Sequence, residues 1–436
     1  MKKFDYTKIS DDCIKCGKCK PVCTIFNINQ DEATSPRGFI DLLGAYKRDE
    51  LELDKTAKDI FESCFLCTNC VEVCPNDLPT DMIIEQVRYD IAKKFGIAWY
   101  KRLFFFLLRH RKIMDFMSKL GWMFQTCAIK IDEAKQSAKP RFSLPIVKKN
   151  RALPFADSTS FLNKYPENIK VKAKSEEKKI AEISQKKNKV AIFIGCMSNY
   201  TYTATGDSLV KILKKLELDI FIPKKQLCCG APAYFTGAFD TVDYLTKKNI
   251  EYFESWIDDV DAVIIPEATC SAMINKDWEH FLHDQPQWQE RAVKLSKKIF
   301  LATKWLENNT DLKNMLSNSG KKFDQLVTYH DPCHAKKMQG VWKEPRELLK
   351  QNYVLKEMSD PNRCCGFGGI TMQTEKFSFA RAAGAPKAAM IRDTKAQIVS
   401  AECSACRMQI TDSLDHANVD VIFKNPIELI ALALED

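Results

Sequence analysis

The sequence lacks any segment suited to crossing a bilayer: the apolar run Leu103–Leu108 is six residues long, against the roughly 20 that a spanning helix needs. No secretory leader is expected, since no stretch joins a basic start, an unbroken apolar core and a small-residue cleavage site, and Met1–Asp12 is polar and charged. There is no GxGxxG after a strand and no GxxxxGK[S/T], so neither a dinucleotide fold nor a nucleotide-binding loop is expected on this chain. The net charge of +9 comes with no nucleic-acid module. Its surplus lies in the middle, with 7 Lys/Arg against 1 Asp/Glu over residues 101–130 and 15 against 7 over residues 131–189. The parts rich in cysteine are near neutral, and nucleic acid is not an expected partner.

What the chain has in abundance is cysteine, 18 in 436 residues. Without export these thiols belong in a reducing, cytoplasmic compartment, where grouped cysteines bind metal more often than they cross-link. All but Cys127 fall into groups, and Cys127 is expected to be a small buried hydrophobe. The length suits about three domains. Residues 1–95 hold eight cysteines and a helical pattern over Thr80–Phe95. Residues 96–130 form a basic, aromatic segment, Leu103–Leu108 flanked by Lys101-Arg102 and Arg109-His110-Arg111. Such a helix fits a membrane interface, a hydrophobic partner or the interior of the chain. Residues 131–189, with Pro140, Pro145, Pro154 and Pro166, read as a basic linker ending in a charged helix around Glu176–Gln185. From residue 190 β-branched runs alternate with helical patterns, which argues for two α/β domains with mainly parallel sheets, at 190–310 and 323–436.

The run Cys13-x-x-Cys16-x-x-Cys19-x-x-x-Cys23 reappears as Cys64-x-x-Cys67-x-x-Cys70-x-x-x-Cys74. That spacing is the bacterial ferredoxin signature, in which three thiolates of a tight loop reach one [4Fe–4S] cube and the fourth reaches its neighbour. Cys74 should then join Cys13, Cys16 and Cys19, and Cys23 should join Cys64, Cys67 and Cys70. Thr24 stands where a proline usually follows the fourth cysteine of the first run. Structural zinc is the competing use of four thiolates, although zinc modules usually split them into separated CxxC pairs.

A second pattern is also doubled. Cys196, Cys228-Cys229-Gly230 and Cys270 are spaced by 32, 1 and 41 residues, and Cys333, Cys364-Cys365-Gly366 and Cys406 by 31, 1 and 41. Spacings this close indicate an internal duplication. The first cysteine of each set follows a predicted strand, and in parallel sheets ligands gather at strand carboxyl ends. Adjacent cysteines can both face one ligand only if the backbone kinks, which Gly230 and Gly366 allow. The second set gains Cys403, where the first has Glu267. Five thiols, Cys333, Cys364, Cys365, Cys403 and Cys406, favour an iron–sulfur cluster of unusual shape. The four of the first copy suit a cubane, a zinc ion or no metal. His330 and His334, on either side of Cys333, fit either a chemical role or a packing role.

Together with Ser35-Pro36-Arg37-Gly38 and Tyr329-His330-Asp331-Pro332-Cys333-His334, these motifs resemble the family with a twin ferredoxin domain followed by two CCG cysteine-rich domains. It includes the iron–sulfur subunits of glycolate oxidase and anaerobic glycerol-3-phosphate dehydrogenase and subunits of heterodisulfide reductase. The resemblance implies an α+β multi-domain fold, a helical two-cluster ferredoxin domain ahead of two α/β CCG domains. It implies an electron-transfer subunit with no catalytic residues of its own, fed by a flavoprotein dehydrogenase and delivering to quinone, peripheral on the inner face of the membrane. The Ser-Pro-Arg-Gly segment is closer to the glycolate or lactate type. Asn199-Tyr200, Gly384-Ala385-Pro386 and Cys403-x-x-Cys406-x-x-Gln409-Ile410 are closer to the glycerol-3-phosphate type, which leaves the donor open. The alternative is a thiol/disulfide enzyme of the heterodisulfide reductase kind, for which five cysteines would be expected in both copies. Anaerobic purification is expected to yield a brown protein whose reduced form gives the EPR signal of interacting clusters. A colourless, zinc-rich protein would overturn that expectation.

Overall fold

In the computed structural model, residues 6–143, 147, 150–171 and 188–435 are described. The expected helix at Glu176–Gln185 lies outside them. The chain forms two compact units. One consists of Met1–Phe106, Gly230–Asp243 and Cys364–Lys387, and the other of Leu107–Cys229, Tyr244–Arg363 and Ala388–Asp436.

The first unit is helical. Ser35 caps the helix Pro36–Lys47, its hydroxyl accepting from the Gly38 amide at 3.0 Å, with Pro36 in the first turn where a missing N–H costs nothing. A Cβ on Gly38 would lie 2.0 Å from the Glu32 carbonyl oxygen, so the turn admits only glycine there. Arg37 pairs with Glu32, as does Lys20 at 2.7 Å, and together they hold the Glu32 carboxyl down at about 2. The Ser-Pro-Arg-Gly segment is thus a helix start wired to the first cysteine run. The apolar core of this unit gathers Phe39, Leu43, Phe61, Ile84 and Val87. Cys23, Cys67, Cys364, Met372, Ala380 and Ala383 belong to the same cluster.

The second unit holds two sheets. Strands β1 (Ile129–Asp132) and β2 (Ser137–Pro140) form a hairpin, and β3 (Asn168–Ile169) is an edge strand. After them come β4 (Lys189–Ile192), β5 (Asp219–Phe221), β6 (Ala262–Ile265) and β7 (Ile299–Leu301). The remainder are β8 (Phe323–Tyr329), β9 (Tyr353–Leu355), β10 (Ile398–Ser400) and β11 (Ile422–Lys424). One sheet runs β3-β5-β4-β6-β7 and the other β11-β10-β8-β9, parallel throughout except for β3. Reversed, the second order becomes β9-β8-β10-β11, which matches β5-β4-β6-β7 strand for strand. The duplication seen in the cysteine spacing is therefore a duplication of topology. Strands buried on both faces read as unbroken apolar runs, as in Ala262-Val263-Ile264-Ile265.

The α/β alternation stands much as the sequence implied, and the structure adds three things. The basic residues 131–189 hold the hairpin strand β2 and β3, which pairs antiparallel with β5 and extends the first sheet. Strand β7 is short, with the polar run Ser296-Lys297-Lys298 just before it. Cys127 is exposed, contrary to the burial expected for it. It lies on the outward side of the helix Arg111–Ala128, whose Arg111, Asp115 and Gln125 make the inward contacts.

Helices of the two copies meet at a buried ion pair. Arg407 donates to Glu428 at 2.7 Å, Thr205 donates to the same oxygen at 2.8 Å, and Arg407 and Glu428 are 3 % and 4 % exposed. Glu428→Ala strands the guanidinium and is expected to cost about 3–5 kcal/mol, whereas Arg407→Met with Glu428→Leu costs much less. Urea unfolding of the two variants checks this.

Candidate metal centres

Each ferredoxin-type run bends at the same two places. Lys15 and Gly17, on either side of Cys16, have φ of 55° and 77°, and Leu66 and Thr68, on either side of Cys67, have φ of 50° and 57°. Left-handed backbone at Leu66 and Thr68 is costly for residues with a Cβ, and sites that hold a ligand are where such strain persists. The kinks curl each loop around a cavity. Cys13, Cys16 and Cys19 line the first together with Cys74 and Cys70, and Cys64, Cys67 and Cys70 line the second together with Cys23. The fourth cysteine is thus carried to the other run's loop. Asn69 donates to the Val22 carbonyl at 2.9 Å and Asn76 to the Asp12 carbonyl at 2.8 Å, which stitches the runs together. The hydroxyl of Thr24 lies 3.5 Å from the Cys67 sulfur, so the departure from proline places a polar group on a thiol.

The donor set fits an iron–sulfur cubane: at least four cysteines on each cavity, apolar walls from Ile40, Phe39 and Leu78, and amide donation such as Leu66 N–H to Cys64 at 3.4 Å. Burial pushes the Cys64 thiol up to about 12 and Cys70 well above its ordinary value. Neutral thiols are favoured without metal, so loading releases protons. Arg88 opposes this at Cys64; it is 3 % exposed and donates to the Cys64 carbonyl at 2.6 Å and the Phe235 carbonyl at 2.8 Å. Nothing in the apolar pattern of the helix Thr80–Phe95 marks Arg88 as an inward residue.

In the duplicated sheets, strand order reverses between β4 and β6 and between β8 and β10. Those reversals open a crevice at the carboxyl ends of the strands. Cys196 follows β4 and Cys270 follows β6; Cys333 follows β8, and Cys403 and Cys406 follow β10. The paired cysteines come after β5 and β9, and the expected kinks are present, with φ of 100° at Gly230 and 92° at Gly366. In the first copy Cys229 lies 3.4 Å from Cys270, and Cys196 is hydrogen-bonded to Cys228, which with burial raises the Cys196 thiol. The hydrogen bond from Cys229 lowers the Cys270 thiol, but burial together with repulsion from Cys196, Glu267 and Cys228 outweighs it and leaves it at about 11. A Cβ on Gly195 would stand 2.9 Å from the Cys270 sulfur, so glycine is what lets the chain approach it.

Glu267, standing where the second copy has Cys403, does not replace the missing thiol. It is 4 % exposed and accepts from the Ser198 hydroxyl at 2.5 Å, from the Ser404 amide at 2.8 Å and from the Ser404 hydroxyl. Its carboxylate is committed to serines and ties one copy's loop to the other's.

In the second copy, Cys403 caps the helix Ser404–His416. Hydrogen bonding from Cys406 holds its thiol down at about 7 against burial. The ligand atoms of His330 and Cys406 lie within 4.8 Å of one another, and His330 is also in contact with the Pro361 carbonyl through Nδ1 at 3.1 Å. Nδ1 of His334 is 3.3 Å from the Cys333 sulfur. Asp331, buried, accepts from Arg346 at 2.6 Å and from Lys336 at 3.3 Å, which anchors the loop ahead of Cys333. Cys364 and Cys365 are buried and belong to the first unit, where the Gly366 amide donates to Cys364 at 3.4 Å.

Sulfur donors grouped in this way define an iron–sulfur protein, and comparison with known proteins agrees. The chain belongs to the family that joins a 4Fe-4S dicluster domain, matched at residues 9–78, to two cysteine-rich domains, matched at residues 190–275 and 327–411. It is 29% identical over 367 residues to the probable glycolate oxidase iron-sulfur subunit of Bacillus subtilis, covering 82% of this chain and 79% of that one. A subunit of the fumarate reductase (CoM/CoB) of Methanothermobacter marburgensis is 28% identical, with coverage of 100% and 75%. Lactate utilization protein A of Halalkalibacterium halodurans is 32% identical, with coverage of 51% and 88%. A crystal structure of a hypothetical protein from Helicobacter pylori shares the fold, with a TM-score of 0.52 at 9% identity over 99% of this chain and 75% of that one. Electron transfer is the activity these relationships support.

The shared cavities give a direct test of cross-ligation. Cys74→Ala is expected to damage the iron site on the Cys13–Cys19 loop, and Cys23→Ala the site on the Cys64–Cys70 loop. Iron content and Mössbauer spectra of the two variants, each set beside Cys16→Ala and Cys67→Ala, measure which site is lost.

Proposed function

We propose that this chain is the electron-transfer subunit of an oxidoreductase whose substrate-oxidising flavin lies on another chain, that the donor is a 2-hydroxy acid such as glycolate or lactate, and that electrons pass toward membrane quinone. The glycolate oxidase and lactate utilization relatives support the choice of donor. In this reading Cys13, Cys16, Cys19 and Cys74 hold one [4Fe–4S] cluster and Cys64, Cys67, Cys70 and Cys23 another. Cys333, Cys364, Cys365, Cys403 and Cys406 hold a further iron–sulfur cluster. Cys196, Cys228, Cys229 and Cys270 form a four-thiol group for a cubane, a zinc ion or no metal. Bound clusters supply reversible one-electron storage; the chain supplies their spacing and surroundings.

One observation carries the proposal. Cys364, first cysteine of the second copy's pair, shares an apolar cluster with Cys23 and Cys67 of the dicluster runs. Phe65, which follows Cys64, reaches so close to Gly368 that a Cβ there would meet its ring at 2.8 Å. A dicluster region built into the same core as a cysteine of the next site is what a relay needs. No helix among the described residues is long and apolar enough to cross a membrane, so the proposed access to quinone is from the surface.

The test is native purification with its co-purifying flavoprotein, followed by assay on glycolate, lactate and glycerol 3-phosphate with a soluble quinone analogue. Reduction of the analogue should require the flavoprotein and a 2-hydroxy acid. Activity on glycerol 3-phosphate alone would overturn the donor, and disulfide cleavage by the lone chain with a reduced carrier would overturn the subunit reading.

A further inference from the structure

The helix Arg111–Ala128 is turned inside out. Ile113, Phe116, Met117, Leu120 and Phe124 recur at intervals that place them on one helix face, with Met123 beside them. In a water-soluble domain that face is the buried one. Here those six residues are 37 to 65 % exposed, and the helix has no buried residue. Its polar residues make the inward contacts instead. Arg111 donates to the Gln226 carbonyl at 3.0 Å, Asp115 accepts from the Tyr200 hydroxyl at 2.7 Å, and Gln125 both donates to and accepts from Ala156. The outward face is therefore fixed in place by the polar side.

Charge selects what covers it. Asp115 is the one acidic residue between positions 101 and 130, and it is held between Tyr200 and Arg111 on the inward side. Lys112 and Lys119 are exposed along one edge of the apolar stripe. A second copy docking on this face would bring like charges together, whereas an anionic lipid surface complements both the lysines and the aromatic stripe. A helix of 18 residues with this charge content lies in the interface and does not span it.

We propose that Arg111–Ala128 is a membrane-docking helix that seats its apolar face in the headgroup layer of an anionic bilayer. The proposal rests on the reading that electrons leave toward the membrane, and it adds which copy faces the lipid. Arg111 and Met114, on the helix's inner side, line a small pocket whose other walls include Cys196, Asn199 and Cys228. Asn199 is 2 % exposed, and its Nδ2 has no hydrogen-bond partner among the described residues although its Oδ1 accepts from the Leu162 amide. Docking on this helix brings the first cysteine-rich copy, with an uncommitted donor beside its thiols, next to the lipid.

The experiment is co-sedimentation of the full iron-loaded chain with phosphatidylcholine vesicles with and without phosphatidylglycerol. Binding is expected only with phosphatidylglycerol, weakening as salt rises. Phe116→Glu with Phe124→Glu should weaken it about a hundredfold, from the apolar burial lost. Lys112→Glu with Lys119→Glu should weaken it about thirtyfold. Iron content and circular dichroism should be unchanged, because all four side chains are exposed. Failure to bind anionic vesicles, binding indifferent to these substitutions, or a dimer in solution abolished by the Phe variants would each overturn the proposal. Electron transfer to a soluble quinone analogue is read separately, so loss of vesicle binding with that activity intact removes the docking helix and leaves the subunit reading standing.

Discussion

Bringing four sulfurs, from loops far apart in sequence, onto one small space is the constraint to which the rest of the molecule answers. A run of cysteines can encircle such a space only if its backbone turns against its usual hand, and Lys15, Gly17, Leu66 and Thr68 supply those turns at matching positions. The fourth sulfur must arrive from the other run, so the runs must be fastened to each other, which Asn69 and Asn76 do. In the sheets the same demand is met by topology: strand order reverses where Cys196 and Cys270, or Cys333 and Cys403, emerge.

Around these points the protein spends its conformationally demanding residues. Gly38, Gly195, Gly230 and Gly366 stand where a Cβ would strike a carbonyl, a sulfur or a helix, or where φ is positive. Polar groups buried near them are satisfied: Arg407 by Glu428, Arg346 by Asp331, and Glu267 by hydrogen bonds from two serines. The last of these gives the asymmetry of the two copies a structural role, because the carboxylate standing where the second copy has Cys403 serves the joint between them.

Much of this was legible in the sequence, because metal ligation and parallel strands leave local marks. The twin runs, the doubled spacing, the kinks at Gly230 and Gly366 and strands such as Ala262–Ile265 and Tyr353–Leu355 follow from residue spacing and apolar runs alone. What escaped depends on the fold. The inward Arg88 has no periodic signal. Strands β2 and β3 lie in a stretch whose prolines read as linker, and their pairing comes from β1 and β5. A lone cysteine usually lies in an interior, yet the helix that carries Cys127 presents its apolar face outward.

Two limbs, Gly230–Asp243 and Cys364–Lys387, leave the cysteine-rich copies and are built into the unit of the dicluster runs. Arg88 grips the first through the Phe235 carbonyl, and Phe65 abuts the second at Gly368. Modularity read from the linear order of motifs is therefore misleading. The ferredoxin-like part is not a bead on a string that recombination could lift away intact, since its removal would unroof both limbs and bare the apolar side chains they carry. A chain wired in this way diverges as a whole, and the joints between its parts must change together.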